Sequence, residues 1–197
     1  MKAPRTPTET KEDTMATPQT AFPTWSLDPV HSSVEFSLDY MGMSTYRTGF
    51  RALEGTLRFD PDRPAESSVS ATIPVASVDV TNERLMSRLM EDDLLGGAKH
   101  PSITFQSTQV DVAAPDRWKV SGDLTIHGVS RPVTLEARYL GQKKSPFSGK
   151  MMATFRAETT VEKGVFGVTW NAPVEGGGTY IGERVQISLL IVAARQD

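Results

Sequence analysis

The stretch that decides the fold runs Trp118-Lys-Val-Ser-Gly-Asp-Leu-Thr-Ile-His127, then Gly128-Val-Ser-Arg-Pro132, then Val133-Thr-Leu-Glu-Ala-Arg-Tyr139. In its first part Trp118, Val120, Leu124 and Ile126 alternate with Lys119, Ser121, Asp123, Thr125 and His127. In its last part Val133, Leu135, Ala137 and Tyr139 alternate with Thr134, Glu136 and Arg138. A period of two gives each segment one dry and one wet face, as a half-buried antiparallel strand requires. Gly128 suits a turn, and Pro132 holds Arg131 extended as the second strand begins. Gly122 falls on the dry face without a side chain, which predicts a bend or bulge where a sheet curls. The stretch is a β-hairpin of a curved sheet.

Working outward, the same alternation recurs. Strand one runs from about Trp25 to Tyr40, interrupted at Asp28-Pro29, with Val34, Phe36, Leu38 and Tyr40 on one face. A second stretch spans Tyr46 to Phe59, bent at Gly49 and Gly55, and Asp60-Pro61 begins a surface turn. A third, Ser68 to Val75, places Val69, Ala71, Ile73 and Val75 together. From Asn82 to about Leu95 the period changes: Leu85, Met86, Leu89, Met90 and Leu94 recur at spacings of three and four, the mark of an amphipathic helix. Thr81 is the expected N-cap, Glu83 suits the first turn, and Gly96-Gly97 is the expected stop. Strands resume at Ser102, run through the hairpin, and end with segments near 149–161 and 184–193, separated by a loop holding Gly176-Gly177-Gly178. About eight strands with one helix between the third and fourth predict an all-β, up-and-down antiparallel barrel.

The totals exclude several functions. The 197 residues fit one domain, residues 22–197, behind a Thr- and Pro-rich tail, 1–21, expected to be disordered. Met15 is a second candidate start. A formal net charge of −3 without a basic run argues against a nucleic-acid partner. No cysteine is present, so disulfides, zinc-thiolate sites and thiol nucleophiles are excluded. No apolar run approaches the length of a signal peptide or a membrane span, and the expected location is cytoplasmic.

His31, His100 and His127 lie in separate elements without ligand spacing, so no metal site is expected. No Gly-x-Ser-x-Gly elbow occurs, and His31 beside Ser32 and Ser33 is adjacency only, so neither a catalytic residue nor a cofactor is expected. The glycines at 176–178 lack the Lys-Ser/Thr of a phosphate loop. The inward strand faces have two readings, a packed core or the wall of a ligand lumen.

Several stretches together resemble the YceI-like family. They are Trp25-Ser-Leu-Asp-Pro-Val-His-Ser-Ser-Val-Glu-Phe36, Gly55-Thr-Leu-Arg-Phe-Asp60, Asp93-Leu-Leu95, His100-Pro-Ser-Ile-Thr-Phe-Gln-Ser-Thr108, Gly122–Val133, Phe166-Gly-Val168 and Gly182-Glu-Arg-Val-Gln-Ile187. The resemblance implies a lipocalin-like, eight-stranded antiparallel barrel that binds a lipophilic small molecule, a polyisoprenoid or prenyl quinone, commonly as a homodimer and without established catalytic machinery. On that reading the ligand-binding wall is Phe36, Leu38, Tyr40, Phe50, Leu57, Ile73, Phe105, Ile126, Leu135, Phe155 and Leu189. Leu85, Met86, Leu89 and Met90 on the helix form a lid. His31, Lys163 and Asn171, with Tyr40, are the head-group candidates. Family members often carry His at the position of Tyr40, and Arg-x-Asp-Phe-Gly where this chain has Lys163-Gly-Val-Phe-Gly167. The rival readings are an interaction module with a filled barrel and, more weakly, an enzyme acting on a lipid held in the lumen.

Overall fold

The computed structural model describes residues 22–196; the expected tail, 1–21, lies outside the described residues. The strands are β1 (Thr24–Leu27), β2 (Ser33–Tyr40), β3 (Ser44–Phe50), β4 (Glu54–Arg58) and β5 (Ser68–Pro74), followed by helix α1 (Glu83–Leu89). Then come β6 (Ser102–Ala114), β7 (Arg117–Ile126), β8 (Val129–Lys144), β9 (Met151–Glu162) and β10 (Ile181–Arg195). All pairings are antiparallel. The order β1-β4-β5-β6-β7-β8-β9-β10 closes on itself because β1 also pairs with β10, Trp25 opposite Arg195 and Leu27 opposite Ala193.

β2 continues the course of β1 along β10, and β3 pairs with β2. Between β1 and β2 the chain steps out in a turn where Asp28 Oδ1 accepts from Val30 N–H, the local bond that favours Asp in turns. The far end of β3 is stitched to the segment after β5 by Asp79 N–H to Gly49 O and Arg51 N–H to Ser77 O. β1 with β2, and β3 with β4, therefore count as one interrupted course each. The molecule is a closed eight-course barrel, as the alternation predicts.

The deciding hairpin has a two-residue turn, with Ile126 opposite Val129 and His127 and Gly128 both at positive φ, 52° and 73°. This is the primed geometry whose twist matches that of the flanking strands. Gly122 serves a close approach: a Cβ there would stand 2.5 Å from Gln106 O and 2.6 Å from the Phe105 ring. The ladder between β6 and β7 slips between Ser107 and Gln109, beside that glycine, which is the predicted bulge.

The helix is shorter than its period suggests. It ends at Leu89 rather than near Leu95, and its N-cap is Asn82, not Thr81, with Asn82 Oδ1 accepting from Leu85 N–H at 3.0 Å. Asp92 and Asp93 would sit at a helix C-terminus, where carboxylates oppose the macrodipole. Instead the chain turns, Leu95 N–H bonding Leu89 O and Gly96 N–H bonding Glu91 O, and Leu94 is buried by the turn.

One end of the barrel is plugged by rings. Phe59 is fully buried, with ring centroids 5.0 Å from Phe155, 5.1 Å from Tyr139, 5.7 Å from Trp118 and 5.9 Å from Trp25. Trp25 Nε1–H donates to Phe59 O at 2.9 Å. We expect Phe59→Ala to cost about 3–5 kcal/mol, the range for deleting a buried aromatic ring. Urea unfolding checks it, and a loss below about 1 kcal/mol would show that the plug does not hold the barrel.

Candidate functional site

Beyond the plug the barrel encloses a cavity of about 1110 Å³. Its wall follows from strand parity. Phe36, Leu38 and Tyr40 point inward from β2, opposite Ile187, Val185 and Ile181 of β10, and Val34 faces Leu189. Phe105 of β6 lies opposite Leu124 of β7, and Leu135 of β8 opposite Val120. Phe50, Leu57, Ile73, Ile126 and Phe155 complete the anticipated wall, and all border the cavity. Leu57 and Phe155 also belong to the buried core around the plug. Trp118 and Ser67 are among the lining residues, and their Nε1 and Oγ are buried without a hydrogen bond to protein.

The roof is α1 and the turn after it. Leu85 and Leu89, four apart, line the cavity, whereas Met86 and Met90 do not. Arg84, Ser87 and Arg88 border it too, so most of the short helix meets the lumen and Met86 points away from it. Met90 packs instead with the secondary core of Val75, Ile103, Leu124, Val161 and Phe166; its sulfur lies 2.6 Å from where a Cβ on Gly97 would stand.

Two head-group candidates are placed elsewhere. His31 is exposed in the β1–β2 turn and bonded through Nδ1 to Asp28 Oδ2 at 2.8 Å, away from the cavity. Asn171 is committed to backbone: Nδ2–H donates to Ile181 O, and Oδ1 accepts from the N–H groups of Ala172 and Ile181. It ties off the base of the glycine loop instead of lining the cavity. Lys163 borders the cavity yet is buried, its Nζ donating to Val168 O and Trp170 O, each at 3.1 Å, with Glu183 Oε2 at 3.5 Å. It pins the 163–170 turn, and its carboxylate partner comes from β10.

His100 and His127 come together with ring centroids 4.6 Å apart, and His127 Nε2 lies 2.7 Å from Asp92 O. Gly96, Gly128 and Gly167 pack on these rings so closely that a Cβ would fall within 2.6–3.1 Å of a ring atom. The pair fastens the turn after α1 to the β7–β8 hairpin. Among the described residues no group of three or more His, Cys, Asp or Glu is arranged to hold a metal.

At the cavity mouth Tyr40, an anticipated wall and head-group residue, is joined by Tyr180, Trp170, Arg88 and Asp93, which sequence reading did not assign. Tyr40 and Tyr180 hydroxyls are 3.1 Å apart, with rings edge-on at 5.0 Å; Tyr180 in turn meets Trp170 edge-on at 5.6 Å. Arg88 of α1 lies over the Trp170 ring at 4.9 Å, forks onto Asp93 at 2.6 and 2.8 Å, and reaches Glu91 at 2.9 Å. The hydrogen bond from Arg88 holds the Asp93 carboxyl below its usual range, against a smaller opposing effect of burial. Hydrogen bonding to Tyr180 raises the Tyr40 hydroxyl.

A family model described as the YceI-like domain matches residues 25–193. Protein YceI of Escherichia coli O157:H7 is 39% identical over 132 residues, 67% of this chain and 68% of that protein. A UPF0312 protein of Azotobacter vinelandii is 33% identical over 138 residues, 70% and 71% of the two chains. Among solved structures, Burkholderia cenocepacia BcnA superposes with a TM-score of 0.72 over 84% of this chain and 98% of that one, at 23% identity. A polyisoprenoid binding domain from Saccharophagus degradans gives 0.62 over 87% and 98%, at 16% identity. At such identities the structural likeness establishes the barrel alone.

The Arg88–Asp93 pair sets the pH behaviour of the mouth. Because the folded Asp93 carboxyl lies below its ordinary value of 3.8, its contribution is fully present above that pH and lost as pH falls through the lower folded value. We expect near-UV circular dichroism from the Trp170 cluster to hold down to about pH 5 and to fade below about pH 4. Asp93→Asn should reduce the same signal at neutral pH. An unchanged spectrum in that variant would show that the pair does not order the mouth.

Proposed function

The chain belongs to the YceI-like family, and from that premise we propose that it binds, sequesters or carries a long-chain lipophile, a polyisoprenoid or prenyl quinone, without chemically changing it. The observation that carries this reading is the cavity of about 1110 Å³ with an almost wholly aliphatic and aromatic wall. The Saccharophagus degradans domain, described as polyisoprenoid binding, supports it by shape. The cavity disfavours the rival barrel filled by its own side chains. Against the enzyme reading, Ser32 Oγ, next in sequence to His31, is bonded to the backbone of Val192, and the His31 ring to Asp28, so the two do not form a nucleophile–base pair.

Burial alone supplies enough affinity. Each buried methylene contributes about 0.8 kcal/mol. A micromolar complex needs about 8 kcal/mol net, and association costs on the order of 4–15 kcal/mol. Roughly 15 to 30 methylene equivalents therefore suffice, which a chain of several isoprene units provides. Affinity then resides in the tail, and the polar mouth is left to discriminate.

Native mass spectrometry of freshly purified protein, followed by solvent extraction, tests the proposal and reports whether the protein is a dimer. A stoichiometric lipophile is the expected result. Leu135→Trp, which projects a larger ring into the lumen, should lower uptake of a prenyl quinone more than about tenfold while far-UV circular dichroism is unchanged. Undiminished uptake in a folded Leu135→Trp variant would place the ligand elsewhere.

A further inference from the structure

Two of the three cations lining the cavity, Arg88 and Lys163, are already committed within the fold. Arg88 gives both Nη atoms to Asp93, reaches Glu91 and lies over Trp170. Lys163 is buried between two carbonyls and Glu183. Arg84, exposed on the first turn of α1, is the remaining cation of the wall. Glu91 also borders the cavity, so with Asp93 and Glu183 behind it three cations stand among three carboxylates. A diphosphate brings several negative charges and binds where cations are free to meet it. Here Arg88 would have to leave its carboxylates, and breaking such a partly buried pair leaves charges uncompensated.

The neutral part of the mouth is better suited to a guest. Of the two hydroxyls of Tyr40 and Tyr180, 3.1 Å apart, one donates to the other, which leaves one O–H for an acceptor outside the pair. The Tyr40 hydroxyl is raised by that bond and remains a donor at neutral pH. Tyr40, Tyr180 and Trp170, each edge-on to the next, present aromatic surface at the same place, and a flat conjugated ring can pack against it.

We propose that the mouth selects an uncharged, oxygen-bearing ring head group, the carbonyl of a prenyl quinone rather than the diphosphate of a prenyl ester, and that the Tyr40–Tyr180 hydroxyl pair receives it. This rests on the lumen being a lipophile site, as proposed above. The tail supplies the affinity and the tyrosine pair the choice of head. Because Glu91 neutralises part of Arg88, its removal shifts the choice toward anions.

Three probes with the same four-isoprene tail separate the contributions: menaquinone-4, geranylgeraniol and geranylgeranyl diphosphate. Each is titrated into the delipidated full chain by displacement of Nile red, an uncharged lumen dye. We expect the quinone to bind at least about tenfold more tightly than the diphosphate, with the alcohol between them. The double change Tyr40→Phe/Tyr180→Phe should weaken the quinone about five- to tenfold and leave the diphosphate unchanged, as loss of one hydrogen bond predicts. Glu91→Gln should strengthen the diphosphate severalfold and not the quinone. Equal affinities across the three heads, or equal weakening of quinone and diphosphate by the double change, would overturn the selection while leaving the lumen proposal intact. Loss of the quinone preference in Trp118→Phe, with none in the tyrosine variant, would put the head at the closed end and overturn it as well. Failure of all three probes to displace the dye would overturn both proposals.

Discussion

Trp25 joins the two ends of the sheet. It sits on a strand of four residues that is hydrogen-bonded on both sides, opposite Leu57 of β4 and Arg195 of β10, and its indole N–H holds Phe59 O. Without that double pairing the sheet would have two exposed edges, each a template for association. Closure also fixes the circumference, and eight courses leave an interior just wide enough to be filled or to hold one ligand. Side-chain size decides between these outcomes level by level. Where Trp25, Phe59, Trp118, Tyr139 and Phe155 meet, rings span the bore. Further along, the inward residues are mainly Leu, Ile and Val, which cannot reach across, and the same circumference encloses a cavity.

The two ends therefore differ in how they are held. The plug is apolar packing, with Phe59 and Trp25 almost wholly removed from water. The roof contains no buried residue in α1 at all, and Leu85 remains 37% exposed. α1 is held instead by Asn82 at its start, by Arg88 at its end and by the histidine pair behind the following turn. Elements held by few apolar contacts open at low free-energy cost, and such elements are where ligand entry is found. A tail that packs against Leu85 and Leu89 would add the apolar contact that the roof lacks, coupling occupancy to closure.

The sequence was most legible where structure is local. Alternation across 118–139, the Asp28-Pro29 interruption and the single change to a helical period are enough for a barrel of eight courses with one helix. The lumen wall was legible by the same rule, because parity in a strand is parity in the barrel. The helix end was not, since the competing attraction of Asp93 for Arg88 overrides the apolar spacing that continues to Leu94. Nor was the mouth. Tyr180 stands 140 positions from Tyr40, beyond a run of glycines, and reaches it only because Asn171 clamps Ile181 and Met41 N–H bonds Tyr180 O. His100 and His127 lie in separate elements of the sequence, and the turn after α1 with three glycines brings their rings together.

The departures at Tyr40 and Lys163 take on meaning in this setting. An ammonium is a compact charge with three donors that can point to separate acceptors, which is what two loop carbonyls and Glu183 ask of Lys163. A guanidinium in its place would present a flat fork suited to one planar anion at a time. Choosing lysine consumes the charge inside the fold, holding the 163–170 turn and through it the Trp170 carbonyl. Tyrosine at position 40 continues in the same direction, placing a hydroxyl at the rim where an imidazole would bring a titrating group near neutral pH. Lysine at 163 thus spends its charge inside the turn and tyrosine at 40 offers a neutral hydroxyl at the rim, so under the selection proposed above, discrimination falls to hydrogen-bond direction and aromatic contact.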